Sequence, residues 1–95
     1  MREEIRTKLA YIRGTIQHSI PEHLLPKAAE VGAAIINRLS EVASVEVELG
    51  SGPQDYSLIV PFGELYVWIT IDGREVQRHN VSVKAGEKKE VNFSL

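Results

Sequence analysis

The chain has 95 residues, a formal net charge of -2 and no cysteine. That length makes a single domain with a modest core, and the absence of cysteine removes disulfides, thiolate chemistry and Cys-ligated zinc. With 43% apolar and 25% charged residues the composition is that of an ordinary globular domain, and neither half has the basic excess of a nucleic-acid-binding domain.

The first segment, about Arg2 to Ser19, reads as a helix. Ile5, Leu9, Ile12, Ile16 and Ile20 recur at steps of four and three, a narrow apolar stripe at helical spacing. Arg2, Arg6 and Arg13 fall on one flank of it. Tyr11 and His18 fall nearly opposite, where solvent is expected. Gly14 weakens such a helix by about 1 kcal/mol relative to alanine. The charged start, Met1-Arg2-Glu3-Glu4, lacks a signal peptide's apolar core, and no run approaches the ~20 apolar residues of a membrane span. A cytoplasmic location is the simplest expectation, and an extracellular one if the chain is a piece of an exported protein.

Pro21 and Pro26 bracket a linker. Pro26 suits the first turn of a second helix running to about Val42 or Ala43. Leu24, Ala28, Val31, Ile35, Leu39 and Val42 form its stripe. Ala28, Ala29, Gly32 and Ala33 would admit a close neighbouring backbone.

From Ser44 the apolar period becomes two. Val45 to Leu49 and Tyr56 to Val60 read as strands joined by the loop Gly50 to Asp55. Pro61 to Glu64 turns the chain into Leu65-Tyr66-Val67-Trp68-Ile69-Thr70-Ile71. Asp72-Gly73 is the signal of a type I′ hairpin. It sets Ile71 opposite Arg74 and Ile69 opposite Val76, and a β-bulge between Gln77 and Asn80 would repair the parity further on. Val91, Phe93 and Leu95 belong to a closing strand.

One face of this sheet collects Leu65, Val67, Ile69 and Ile71 with the alternate residues of its neighbours. The other is polar except for Tyr66 and Trp68, with Ile59 beside them. Two such aromatics hide roughly 300–500 Å² when covered. A cover supplied by the chain itself, by a partner or second copy, or by a ligand would each satisfy them.

Chemistry-bearing patterns are sparse. His18, Glu22 and His23 cluster in sequence, but their spacing and Pro21 break the helix that an inverted zincin pattern requires. Serines occur without a nucleophile elbow. Gly50-x-Gly52 has no following helix to bind phosphate. Glu46 and Glu48 fit an exposed polar strand face. Asn80-Val81-Ser82 and Asn92-Phe93-Ser94 are glycosylation sequons that matter only in an exported chain.

Ile71-Asp72-Gly73-Arg74-Glu75-Val76, then Val81-Ser82-Val83-Lys84-Ala85-Gly86-Glu87 and Val91-Asn92-Phe93-Ser94-Leu95, resemble the closing strands of small extracellular Ig-like adhesion modules of the CARDB kind. The resemblance covers residues 69–95 and implies a binding or adhesion-type β module.

The sequence therefore predicts one α+β domain over residues 1–95. A helical hairpin over residues 1–43 packs on a four- to five-stranded antiparallel meander over 44–95. Its expected function is a non-enzymatic protein–protein interaction or assembly module, forming a homo-oligomer, with no cofactor and no metal. The expected surface is Tyr66, Trp68, Ile59 and Thr70, with Arg2, Arg6 and Arg13 as a second patch. One alternative is a nucleic-acid-binding module that uses those arginines for phosphates and the aromatics for stacking. Another is a small enzyme or ligand carrier with a pocket near His79 or Tyr66.

Overall fold

The computed structural model describes residues 9–36 and 40–95. They form a sandwich of two β-sheets, not an α+β domain. In chain order the strands are β1 (Leu9–Gln17), β2 (Lys27–Ile35), β3 (Glu41–Leu49), β4 (Gln54–Pro61), β5 (Gly63–Ile71), β6 (Arg74–Val83), β7 (Lys88–Glu90) and β8 (Phe93–Ser94). Among the described residues the only helical turn is the short 3-10 segment Glu22–Leu24. No helix among them is long and apolar enough to cross a membrane.

Both expected helices are thus strands where they are described; their parts at 2–8 and 37–39 lie outside the described residues. The cause is an ambiguity of spacing. A step of four residues is even, so Ile12/Ile16 and Val31/Ile35 satisfy a strand as well as a helix. Only the steps of three argued for helix, and those fail. Leu9 is exposed, and Ala29, Val31 and Ala33 take the inner positions of β2. The β-branched Ile12, Thr15 and Ile16, together with Gly14 and Gly32, also lower helix propensity locally. Pro26 precedes a strand and opens no helix.

One sheet runs β4-β1-β7, with β8 also pairing with β1; the other runs β3-β2-β5-β6. The expected single meander is therefore split. The chain leaves the β3-β2-β5-β6 sheet at Gly50–Pro53 to form β4, then returns through Phe62 to form β5. Pairing is not wholly antiparallel either, because β7 and β8 run parallel to β1. The first strand thus sits between the fourth and the last. This differs from the immunoglobulin constant order, in which the first, second, fourth and fifth strands share a sheet.

The core lies between the sheets. Ala10, Ile12, Ile16, Tyr56, Leu58, Val60 and Phe93 face Val31, Leu49, Leu65, Val67 and Ile69 across it. The apolar face expected for β5 is buried, and its counterpart is a second sheet. Tyr56 donates its hydroxyl hydrogen bond to the carbonyl of Val91, so its buried hydroxyl is satisfied. Burial pushes the Tyr56 phenol upward from its ordinary value because the phenolate would lose hydration.

Two further features align the sheets. The Asp72-Gly73 hairpin forms as expected, with φ of 52° and 78° and Ile71 opposite Arg74. The β6 bulge comes earlier than expected: Thr70 pairs with Glu75 and Ile69 with Gln77, which leaves Val76 extruded and exposed. That shift turns Gln77 and His79 toward the other sheet. Gln77 Nε2 donates to the Ser94 carbonyl at 3.0 Å, and the Ser94 amide donates back to Gln77 Oε1 at 3.2 Å. The side chain of Gln77 thereby pairs with β8 as a strand backbone would.

Candidate interaction site

The outer face of the β3-β2-β5-β6 sheet carries the aromatic pair. Alternation along β5 directs Tyr66, Trp68 and Thr70 outward while Leu65, Val67 and Ile69 are buried. Across β2 the neighbours are Ala34, Gly32 and Glu30 respectively. Trp68 rests on Gly32, where a Cβ would stand 2.7 Å from Cζ2 of the indole. The small residues of β2, expected to admit a second backbone, admit an aromatic ring instead. Tyr66 lies opposite Ala34, and the Arg78 guanidinium sits 4.8 Å from its ring centroid, within cation–π range. Glu75 holds Arg78 by two bonds, Nη2 to Oε1 at 2.7 Å and Nε to Oε2 at 3.1 Å. The aromatics are therefore half covered by their own sheet and leave their remaining surface in a fixed orientation.

Carboxylates surround this centre. Glu30 faces Glu46 directly across β2 and β3, and Ala28 faces Glu48. A groove of about 730 Å³ runs over this corner, lined by Glu30, Glu46, Glu48, Thr70 and Asp72. Lys27 is held by Asp72 at 2.6 Å. The face presents Glu30, Glu46, Glu48, Glu64 and Glu75 against Arg78, so it is strongly acidic.

The remaining sequence-predicted residues lie elsewhere. Ile59 is on β4, on the outer face of the opposite sheet, paired with Tyr11 of β1. Both are exposed, at 56% and 45%, and Leu9 lies beside them. Arg13 is on the same face, opposite Ser57 and Glu90, with Lys88 opposite Tyr11. Arg2 and Arg6 lie outside the described residues. The structure thus joins Tyr66, Trp68 and Thr70, and separates them from Ile59 and Arg13 by the thickness of the sandwich. Tyr11 was legible as exposed, but its pairing with Ile59 required the topology.

The catalytic and metal alternatives find their residues otherwise engaged. Nε2 of His18 lies 2.8 Å from the Gly50 carbonyl and Nδ1 accepts from the Ile20 amide at 3.2 Å, so both ring nitrogens latch loops. Glu22 accepts from the Ser51 hydroxyl at 3.3 Å. His79 packs on the Phe93 ring, centroids 5.2 Å apart, with Nε2 at 3.2 Å from Gln77 Oε1. Among the described residues no group of three His, Asp or Glu side chains converges to hold a metal ion.

Comparison with known proteins yields distant structural likeness and no sequence match. No family model matches the chain, and no curated protein matches it. A solved pilus-presented adhesin, a cysteine-to-alanine mutant, superposes with a TM-score of 0.36 and 9% identity, over 95% of this chain and 28% of the adhesin's. The chain thus spans under a third of that protein's length, and a superposition this loose defines neither a shared fold nor a shared activity. The class of protein that the coordinates themselves define is a small, cysteine-free, two-sheet β-sandwich.

Proposed function

We propose that this β-sandwich is a non-enzymatic assembly module that associates with copies of itself, the outer face of one sheet meeting the opposite outer face of the next copy. The observation that carries the reading is the placement of two outward-facing apolar centres on opposite sides, half-buried Tyr66/Trp68 on one and exposed Tyr11/Ile59 on the other. Rigid aromatic side chains give contact area at low entropic cost. Face-to-face contact between two acidic sheets would set like charges together, which is costly. Contact of unlike faces instead brings Arg13 and Lys88 over Glu30, Glu46 and Glu48. Such a heterologous contact does not close on itself and builds chains of subunits. The fold needs no disulfide, so it is compatible with a reducing or an oxidising compartment.

Sedimentation velocity over a concentration series tests this. Wild type should show a rising weight-average mass. Trp68→Ala and Ile59→Ser should each remain monomeric alone, since each lacks one face. Mixed together they should form dimers and nothing larger, because each supplies the face that the other lacks. A wild type that stays monomeric at high micromolar concentration overturns the reading.

The nucleic-acid alternative is disfavoured by the same placement. Arg13 is on the face opposite Tyr66 and Trp68, and the aromatic face is acidic, so a polyanion following the aromatics would meet carboxylates.

A further inference from the structure

The free edge of β3 offers a second, independent surface. Among the described residues, β3 pairs only with β2, so every second residue of Glu41–Leu49 turns its amide and carbonyl away from the sheet. Such an edge is a template for another strand unless something blunts it. The edge of β6 is blunted by the Val76 bulge and by inward Gln77 and His79, and β7 and β8 are short. On β3 the bulge falls at Val42, near the start of the strand: Ala33 pairs with Ala43 and Ala34 with Glu41. From Ala43 to Leu49 the strand is regular. Its inward residues Ala43, Val45, Val47 and Leu49 are apolar, and its outward residues Glu46 and Glu48 are acidic and exposed.

Grooves flank this segment on both sides. Glu46, Val47 and Glu48 line the groove over the outer face. Val45 to Glu48 also line one of about 950 Å³ on the β4 side, together with Asp55, Tyr56 and Ser57 of β4 and with Arg13 and Glu90, which face each other in register. A strand laid along the edge has room for side chains in both directions.

We infer that the β3 edge binds an extended peptide segment carrying Lys or Arg at alternate positions, with small apolar residues between. Backbone pairing along Ala43–Leu49 supplies the affinity, and side chains on alternate sides supply the selection. The basic side chains lie beside Glu46 and Glu48. Glu46 directly faces Glu30 across β2 and β3, and like charges so placed are destabilising until neutralised. The apolar residues extend the row of Val45 and Val47 over the open side of the core. A second copy of β3 is a poor occupant, because antiparallel pairing of two such edges would set the glutamates of both copies side by side.

The probe is a short synthetic peptide alternating lysine and valine, titrated into isotope-labelled protein at low salt. Amide shifts should saturate and centre on Ala43–Leu49, and edge amides there should gain protection from hydrogen exchange. Two N-methylated versions, one for each set of alternate positions, block backbone pairing; one of them should abolish binding. Replacing lysine by glutamate in the peptide should also abolish it. Glu46→Lys and Glu48→Lys should each weaken binding by about fivefold, the scale of an exposed ion pair, without lowering the melting temperature, since Glu46→Lys also relieves the repulsion with Glu30. Absence of binding overturns the inference. So does equal binding by both N-methylated peptides, which would mean attraction by charge alone, or shifts centred away from β3.

Discussion

The indole of Trp68 lies against the backbone of Gly32, so close that a single methyl group at position 32 would stand 2.7 Å from Cζ2 and 2.8 Å from Cε2. Gly32 and Trp68 are directly opposite in the β2–β5 ladder. A glycine weakens a strand when nothing occupies the space above it; here an aromatic ring fills that space. The pairing holds the largest side chain of the outer face low on its sheet and aims its free edge at solvent.

Gly32→Ala should therefore lift the ring. The clash is with a side chain, so relief comes through a new Trp68 rotamer, and the loss should be about 1–3 kcal/mol, the range of overpacked sites. Trp68 is the only tryptophan, so its fluorescence should shift to the red in the folded state while chemical denaturation reports the loss.

Gly14→Ala should be more severe. A Cβ at Gly14 would lie 1.9 Å from the Val91 carbonyl oxygen and 2.7 Å from its carbon. Backbone cannot rotate away as a side chain does. Val91 also anchors the closing segment: its amide donates to the Arg13 carbonyl at 2.9 Å, and its carbonyl accepts from Tyr56. Loss of more than about 3 kcal/mol, in the class of severe mutations, is expected in denaturant unfolding. Amide exchange at Val91 and Leu95 should rise ahead of the rest.

Gln77→Ala removes both hydrogen bonds between β6 and Ser94 and leaves the Ser94 amide and carbonyl to water. At about 0.5–1.5 kcal/mol for each net bond, destabilisation of about 1–3 kcal/mol is expected. Gln77→Glu keeps the acceptor for the Ser94 amide but sets a carboxylate against the Ser94 carbonyl, so it should not restore stability. Thermal melts of the three proteins at neutral pH make the comparison.

Stability should fall in alkali through Tyr56. The phenol of Tyr56 ionises at a higher pH in the folded chain than in the unfolded one, because burial disfavours the phenolate. The folded state then holds its proton where the unfolded state releases it. This contribution is complete below pH about 10, the unfolded tyrosine value, and declines as pH rises beyond it. Tyr56→Phe should be less stable at neutral pH, having lost the hydrogen bond to Val91, and should show a shallower decline above pH 10. Denaturant midpoints measured across that range check the sign.

The β half of the sequence was legible because one period dominates it. Val47, Leu49, Leu58, Val60, Leu65, Val67 and Ile69 all take the buried face that their alternation assigns, and Asp72-Gly73 makes the turn that its residue types favour. The amino-terminal half misled because its isoleucines and valines stand four apart, a spacing shared by both periodicities. Gly14 and Gly32 bear on the choice between the two periodicities. Each reads as a weakness in a helix, and each is a point of close approach in a sheet. Of the surface residues, Tyr66, Trp68 and Thr70 share one outward face, as alternation within a single strand requires. Ile59 lies on the other sheet, because a strand's outward face can belong to either sheet and the chain changes sheet at Gly50–Pro53 and again at Phe62.

By itself the sequence determined the inward face of β3, β4 and β5, the type I′ hairpin and the presence of an outward aromatic pair. These follow from side-chain polarity and local backbone preference, which act over a few residues. Only the tertiary structure decided that the first half is strand, that β1 lies between β4 and the parallel closing strands, and that Trp68 is seated on Gly32. Those depend on pairing between residues 36–77 positions apart in the chain, such as Gly32 with Trp68 and Gly14 with Val91. Local pattern cannot distinguish between partners at that distance. The free energy of burying one sheet against the other selects among them.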